Sequence, residues 1–220
     1  MDPRVNDFTI NIATANGTGS QSANLVILHS MYEMGVPVSG KNLFPSNISG
    51  LPTWFIIRAS DAGYQAPGDY THIQIMMNKD TWQKDLDKLD AGTVVIYNQD
   101  TKLPVDREDC ILLGMPMTKM ARKISPKMAK LMANMYYVGA LAHILKIDQE
   151  SIRKAISQQF GGKEKAIEWN MQAISEGKEY AKENWEYESE YLVEAREKDP
   201  NTFLIEGNEA TALGAIYGGI

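Results

Sequence analysis

Cysteine, histidine and net positive charge are all scarce in this sequence of 220 residues. The single cysteine, Cys110, excludes an internal disulfide, and one thiol cannot hold an iron–sulfur cluster or a cysteine-rich zinc site. The 22 basic against 28 acidic side chains give a net charge of -6, which disfavours a general nucleic-acid-binding surface. We therefore expect no redox metal on this chain and no nucleic-acid partner.

Long apolar runs are also absent. No segment approaches the roughly 18 apolar residues of a membrane span, and the opening residues 1–4 have no basic region that leads into an apolar stretch. We expect a cytoplasmic protein with no membrane partner. The length suggests one large domain, or one domain with an appendage.

The first 120 residues show alternating signals for strands and helices. Residues 8–15 alternate apolar and polar side chains and predict a strand, whereas apolar spacings of three and four predict a helix over residues 23–34. Further strands are predicted at 36–38, 54–60, 72–77, 93–97 and 110–114, with a short helix at 81–89. The pattern predicts an α/β fold with an open, mostly parallel sheet and flanking helices, resembling a Rossmann domain.

The remainder of the chain is predicted to be largely helical. Helices are expected at about 125–145, 151–160 and 164–198, followed by a new strand–turn–helix unit over residues 203–220 that stops unfinished. We interpret residues 1–162 as the α/β domain, 163–202 as a helical extension and linker, and 203–220 as the start of a second domain.

The sharpest local motif is a glycine turn between the first strand and the first helix. Free backbone N–H groups at a helix amino end, with glycines that permit close approach, can cradle a phosphate or diphosphate, and Ser20 can cap the helix. A tight turn with no ligand is the alternative. An NAD site is disfavoured, because Ser22 replaces the third glycine of the dinucleotide motif and Lys41 stands where an acidic residue is needed. The candidate residues are Gly17, Thr18, Gly19, Ser20, Gln21 and Ser22.

Residues 39–53 predict a long loop that emerges near the same strand ends. Lys41 is the only cation in this loop and can meet an anion, although a solvated surface lysine is an equal alternative. His29, His72 and His143 lie far apart in the sequence and are interpreted as structural.

The motifs Gly17–Asn24, Ser39–Asn47 and Gly50–Thr53 resemble the gamma-type domain of 2-oxoacid:ferredoxin oxidoreductases. The likeness is greatest to the large subunit of 2-oxoglutarate-type enzymes, in which this domain precedes an alpha-type domain. Gly207–Ala215 resembles the opening of that alpha-type, thiamine-pyrimidine-binding domain. The Tyr-Pro-Ile-Thr-Pro motif of the alpha-type domain does not occur here.

The resemblance implies an assembly that oxidatively decarboxylates a 2-oxoacid on thiamine diphosphate, forms an acyl-coenzyme A and reduces ferredoxin through iron–sulfur clusters. It places Mg, thiamine diphosphate and the 4Fe-4S cluster outside this chain, on the rest of the alpha-type subunit and on a beta subunit. No residue here is expected to be catalytic. The implied role is to bind coenzyme A and assist assembly, with contacts expected at the glycine turn and at Lys41, Ser46 and Asn47.

A non-catalytic binding or regulatory module with the same fold is the alternative from another class. It would share the glycine turn but have no thiamine-binding partner. The sequence alone leaves open which 2-oxoacid is used.

Overall fold

The computed structural model describes residues 3–44 and 51–220 and is built on one six-stranded sheet with strand order β3-β4-β2-β5-β6-β7. The strands β2 to β7 span Asp7–Ala15, Val38–Leu43, Pro52–Ser60, Ile73–Met76, Val94–Asn98 and Ile111–Met115. The parallel part is β2-β5-β6-β7, whereas β4 runs antiparallel to both β2 and β3. The predicted open, mostly parallel α/β sheet is therefore confirmed.

Helices cover the two faces of the sheet unequally. The larger core lies between the sheet and one layer of helices, and a smaller core of Met76, Leu86, Leu89 and Val95 lies under α2 on the other face. The helices α1 to α7 span Ser20–Glu33, Trp82–Asp87, Met117–Ile124, Ala129–Ile144, Gln149–Phe160, Glu164–Asn184 and Gly207–Tyr217. Of these, α1 follows β2 and α2 follows β5, so the chain changes face between these two neighbouring strands.

The two central helices of the larger layer, α4 and α6, approach each other backbone to backbone. A Cβ atom on Gly139 would lie 2.1 Å from the Ile174 carbonyl oxygen, and one on Gly177 would lie 2.4 Å from the Tyr136 carbonyl oxygen. The helix α4 is buried almost along its whole length, and α6 packs directly against it. Residues of both helices therefore belong to the same core as the sheet.

The predicted third helix is too long. It ends at Asn184 and not near residue 198, because Trp185 turns away and its indole Nε1 donates a hydrogen bond to the Gly114 carbonyl at 3.0 Å. From residue 185 to residue 193, burial alternates along an extended segment whose Tyr191–Leu192 forms β8 and pairs in parallel with β1, Arg4–Val5.

The predicted loop over residues 39–53 is also wrong in part. Val38–Leu43 is the edge strand β3, and β4 begins at Pro52. Gly40 permits this pairing, because a Cβ there would lie 2.8 Å from the Phe55 ring and 3.0 Å from Leu28. A polar edge strand lacks the apolar alternation on which the prediction depended.

The last segment is helical but unpacked. Residues 203–205 have no regular secondary structure, contrary to the predicted strand, and α7 has no buried residue. Its first turn is closed by a capping box between Glu206 and Glu209. In the described part of the chain, no helix combines the length and the apolar character that crossing a membrane requires.

Candidate functional site

The glycine turn adopts the backbone conformation that its sequence predicts. Gly17 and Gly19 have φ values of 77° and 78°, in the left-handed region that favours glycine. Thr18 braces the turn by donating its hydroxyl to the Ala15 carbonyl oxygen at 2.7 Å. Gly19 is the cap residue of α1, so the expected capping by Ser20 is wrong; Ser20 is instead the buried first residue of the helix. No side chain of the described residues caps the first turn of α1.

The turn is held against the amino-terminal half of α4. Asn134 is 2% exposed and donates its amide to the Thr18 carbonyl oxygen at 2.6 Å. A Cβ on Gly19 would lie 3.1 Å from Leu131, whereas one on Gly17 would meet no atom of the described residues within 4 Å. Gly19 is therefore needed for packing, and Gly17 is the open position of the turn.

The next two predicted residues face neighbouring elements. The Gln21 side-chain oxygen accepts a hydrogen bond from Asn42 at 2.9 Å, and Ser22 Oγ accepts one from Gln159 at 3.5 Å. These contacts join the start of α1 to β3 and to α5. They fix the position of the helix end.

The structure does not bring Lys41 to the turn. Lys41 is paired with Ile56 in the antiparallel ladder of β3 and β4, and directly paired residues share a face of the sheet. Ile56 lines a cavity on the face opposite α1, whereas Gly40 faces Leu28 of α1. Ser46 and Asn47 lie outside the described residues, so their proposed role stays a prediction.

A cavity of about 520 Å³ lies beside the turn, at the carboxyl ends of three parallel strands. Asn16 and Thr18 follow β2, Asn78 and Lys79 follow β5, and Asn98 ends β6. This is the edge at which open α/β sheets bind ligands, next to the point where the connections change face. The opposite wall comes from α3, from the connection that follows it and from α4, and includes Thr118, Arg122, Lys127, Lys130 and Asn134.

Cations dominate the charged groups of this cavity. Lys79, Arg122, Lys127 and Lys130 are exposed at its wall, and within residues 3–44 and 51–220 Asp80 is the one carboxylate that lines it. Sequence reasoning missed these four cations. A signal was available for three of them, because no Asp or Glu occurs between residues 110 and 147 of an otherwise acidic chain.

A larger cavity of about 850 Å³ lies on the opposite face, over β4, β2 and β5. Its wall includes Trp54 and Asp85; the Asp85 carboxylate accepts hydrogen bonds from Trp54 Nε1 at 2.8 Å and Thr81 Oγ1 at 2.7 Å. Burial raises the pKa of Asp85 despite these two bonds. Lys88 is the one cation among the described residues that line it, so this cavity suits a polyanion less well than the cavity at the glycine turn.

The residues of this chain do not fit an iron–sulfur cluster, which takes several thiolate ligands, because the sequence has only Cys110. Nor do any three His, Cys, Asp or Glu side chains within residues 3–44 and 51–220 gather in a way that could hold a metal ion. His72 is packed between Tyr70 and Tyr191, and its Nδ1 accepts the Thr9 N–H at 3.0 Å.

Comparisons with known proteins identify relatives of this chain. Residues 9–180 match the family model for Pyruvate ferredoxin/flavodoxin oxidoreductase. The chain is 22% identical to the alpha subunit of 2-oxoacid:ferredoxin oxidoreductase 2 from Aeropyrum pernix, over 97% of this chain and 40% of the relative. It is 25% identical to the ketoisovalerate oxidoreductase subunit VorA from Methanothermobacter thermautotrophicus, over 85% of this chain and 39% of the relative.

Solved structures show the same fold. The 2-oxoglutarate:ferredoxin oxidoreductase from Magnetococcus marinus, with 2-oxoglutarate, coenzyme A and succinyl-CoA bound, superposes with a TM-score of 0.87 at 26% identity, over 98% of this chain and 38% of that chain. The gamma subunit of a keto/oxoacid ferredoxin oxidoreductase from Geobacter sulfurreducens gives a TM-score of 0.66 at 16% identity, over 79% of this chain and 98% of that chain. The present chain spans about two fifths of the length of the curated relatives that it matches. Since the family model covers most of its residues, the chain belongs to the pyruvate ferredoxin/flavodoxin oxidoreductase family.

Proposed function

We propose that this chain is part of a 2-oxoglutarate-type 2-oxoacid:ferredoxin oxidoreductase, which converts a 2-oxoacid to an acyl-coenzyme A and reduces ferredoxin. The observation that carries the proposal is the superposition of nearly the whole chain on the Magnetococcus marinus enzyme, which holds 2-oxoglutarate and coenzyme A. Family membership supports the coarser statement, an oxidoreductase subunit, and the structural neighbour supports the choice of 2-oxoglutarate.

Within such an enzyme, residues 1–162 correspond to a gamma-type domain. The separate gamma subunit from Geobacter sulfurreducens, matched over 98% of its length and 79% of this chain, supports a gamma-type fold. Residues 163–202 are the helical extension and linker, which here packs on the same core, and residues 203–220 begin the alpha-type domain. The exposed apolar side chains of the last segment, including Phe203, Ile216 and Tyr217, support the idea that further protein covers them.

The role proposed for this chain is to bind coenzyme A in the cavity beside the glycine turn. The uncapped amino end of α1 and the open position at Gly17 suit a diphosphate, which the cations of the cavity wall would neutralise. Thiamine diphosphate, Mg and the 4Fe-4S cluster would be held by the rest of the alpha-type subunit and by a beta subunit, with ferredoxin as electron acceptor. This chain alone is then inactive and supplies no catalytic residue.

Titration of the assembled enzyme with coenzyme A tests the binding role. Gly17→Asn adds a side chain at the open position while tolerating a left-handed backbone, so it should weaken coenzyme A binding at least about tenfold without unfolding the chain. Gly19→Val is less informative, because it also collides with Leu131. Lys41→Ala, on the opposite face, is the matched control and should bind coenzyme A normally.

If Gly17→Asn binds coenzyme A with unchanged affinity, the turn is not part of the binding site. Substrate class is tested separately by comparing 2-oxoglutarate with pyruvate and with a branched 2-oxoacid in the same assembly. An assembly that turns over none of them would favour the alternative, a non-catalytic binding module of the same fold.

A further inference from the structure

The cavity beside the glycine turn lies in a strongly basic part of an acidic protein. Residues 110–147 contain six Lys or Arg side chains and no Asp or Glu, although the whole chain has a net charge of -6. Arg122, Lys127 and Lys130 from this segment line the cavity, and Lys79 joins them from the connection after β5. In the part of the chain that the structure describes, none of these four cations forms an ion pair.

The amino ends of two helices meet at the same place. Neither α1, which begins at Ser20, nor α4, which begins at Ala129, has a side chain that caps its first turn. The two ends are close together, because Asn134 of α4 donates to the Thr18 carbonyl oxygen at 2.6 Å. Each uncapped helix end adds partial positive charge to that of the cations.

The four cations and the two helix amino ends together carry more positive charge than one diphosphate requires. A diphosphate at the Gly17–Gly19 turn and the start of α1 leaves the opposite wall, with Arg122, Lys127 and Lys130, free for another anion. Coenzyme A carries a phosphomonoester on its ribose besides the diphosphate, and a phosphomonoester has between one and two negative charges at neutral pH. Arg and Lys recognise such a group by charge-assisted hydrogen bonds.

We propose that Arg122, Lys127 and Lys130 bind the ribose 3′-phosphate of coenzyme A and so make the site selective for coenzyme A over its dephosphorylated form. The inference depends on the proposed binding of coenzyme A at the glycine turn. The glycine turn cannot distinguish coenzyme A from its dephosphorylated form, because both compounds contain the diphosphate. The three cations would add that specificity. The cations act on binding alone and take no part in bond making.

The test compares coenzyme A with 3′-dephospho-coenzyme A in the assembled enzyme, by direct titration and by KM in turnover. The unmodified enzyme should prefer coenzyme A by at least about tenfold. In Arg122→Gln/Lys127→Gln, the affinity for coenzyme A should fall to that for the dephosphorylated form, whose own affinity should change little. Adenosine 3′,5′-bisphosphate should compete with coenzyme A, and the double variant should bind this probe at least about tenfold more weakly.

Lys123→Gln is the matched control, because Lys123 is an exposed cation of the same segment but is absent from the cavity wall. It should retain the full preference for coenzyme A over the dephosphorylated form. Because Arg122, Lys123 and Lys127 are all exposed, the urea midpoint of unfolding should be unchanged in both variants. Equal affinity of the unmodified enzyme for the two compounds would overturn the inference. So would an equal loss of selectivity in Lys123→Gln, or a double variant that weakens both compounds alike. None of these outcomes contradicts the proposed function. The absence of any coenzyme A binding would contradict the proposed function itself.

Discussion

Single glycines and one histidine show how individual residues determine this fold. Gly139 and Gly177 each lie where a Cβ atom would meet a backbone carbonyl oxygen of the facing helix at 2.1 Å and 2.4 Å. Neither has a positive φ, so the reason for glycine is close helix approach and not backbone conformation. His72 is 7% exposed and near Arg4 and Arg58, which makes its charged form unfavourable in the folded protein.

We predict that Gly139→Ala lowers the free energy of unfolding by about 1–3 kcal/mol or more, because α4 and α6 must separate to admit the methyl group. Urea unfolding provides the measurement. The matched control is Gly214→Ala, a helical glycine with no atom within 4 Å of the added Cβ, which should leave the midpoint almost unchanged. A Gly139→Ala protein as stable as the control would show that the helices are not packed this closely.

We also predict that stability declines as the pH falls from about 6.5 towards 4. Burial is the main cause that lowers the pKa of His72 from 6.5 to about 4, and repulsion from Arg4 and Arg58 adds to it. In this range the unfolded chain binds more protons than the folded one, so stability is full above pH 6.5 and falls as the histidine of the unfolded chain becomes protonated. The fall ends near pH 4, where the histidine of the folded protein is protonated too. The loss attributable to this residue is at most about 3 kcal/mol.

The control for this effect is His72→Asn, whose side-chain oxygen can accept the Thr9 N–H but does not titrate. Its stability should depend less on pH over the same range. Identical pH profiles for the two proteins would exclude His72 as the cause.

At the scale of elements, the sequence predicted those whose apolar period is unambiguous. The strands β2, β4, β5 and β6 and the helices α1, α4 and α5 were all located, because buried positions repeat every two residues or every three to four. The edge strand β3 was misplaced, because a strand was predicted at 36–38 and a loop from residue 39. The strand is polar, and its Gly40 suggests a break when the Phe55 ring against it is unknown. The end of α6 was misplaced, although the alternation of Trp185, Tyr187 and Ser189 with glutamates is typical of an extended chain.

The candidate site was predictable only in part, because some of its residues are positioned by local backbone conformation and others by long-range packing. The glycine turn depends on local backbone conformation, which its residues determine, so sequence identified it. The cations of the opposite wall, Arg122, Lys127 and Lys130, follow the turn by more than 100 residues and reach the cavity only through the packing of α3 and α4. Lys41 was predicted to lie in a loop near the turn, but the direction of its side chain depends on the register of β3, which the sequence did not predict.

The segment after β8 provides a test of element packing. Its Arg196 N–H donates to the Met34 carbonyl oxygen at 2.7 Å, and a Cβ on Gly35 would lie 2.3 Å from the Arg196 carbonyl oxygen. We predict that Gly35→Ala displaces this segment and makes the bonds after Arg196 and Lys198 several-fold more sensitive to trypsin. Gly63→Ala is the control, because Gly63 has the same φ of 78° but no atom within 4 Å. Equal cleavage of the two variants would contradict the contact.

At the scale of the whole molecule, the sheet and five of its helices form one core, whereas α7 lies outside it. Leu213 and Ile216 are 54% and 71% exposed on this helix. We predict that amide hydrogens of residues 207–217 exchange rapidly in the isolated chain and become protected at least about tenfold when the rest of the alpha-type subunit is present. Hydrogen exchange measured by mass spectrometry, with α4 as the internal reference, provides the test. Equal protection of α7 in the isolated chain and in the larger subunit would contradict the prediction.

The most direct test of the central claim is an assay of the complex purified with this chain as a subunit. We predict that 2-oxoglutarate reduces a low-potential viologen acceptor in this complex, that reduction requires coenzyme A, and that succinyl-coenzyme A accumulates in proportion. The isolated 220-residue chain, assayed in parallel with added thiamine diphosphate and Mg, should give no reduction above background. Turnover by the isolated chain, or a complex that reduces no acceptor with any 2-oxoacid tried, would contradict the account.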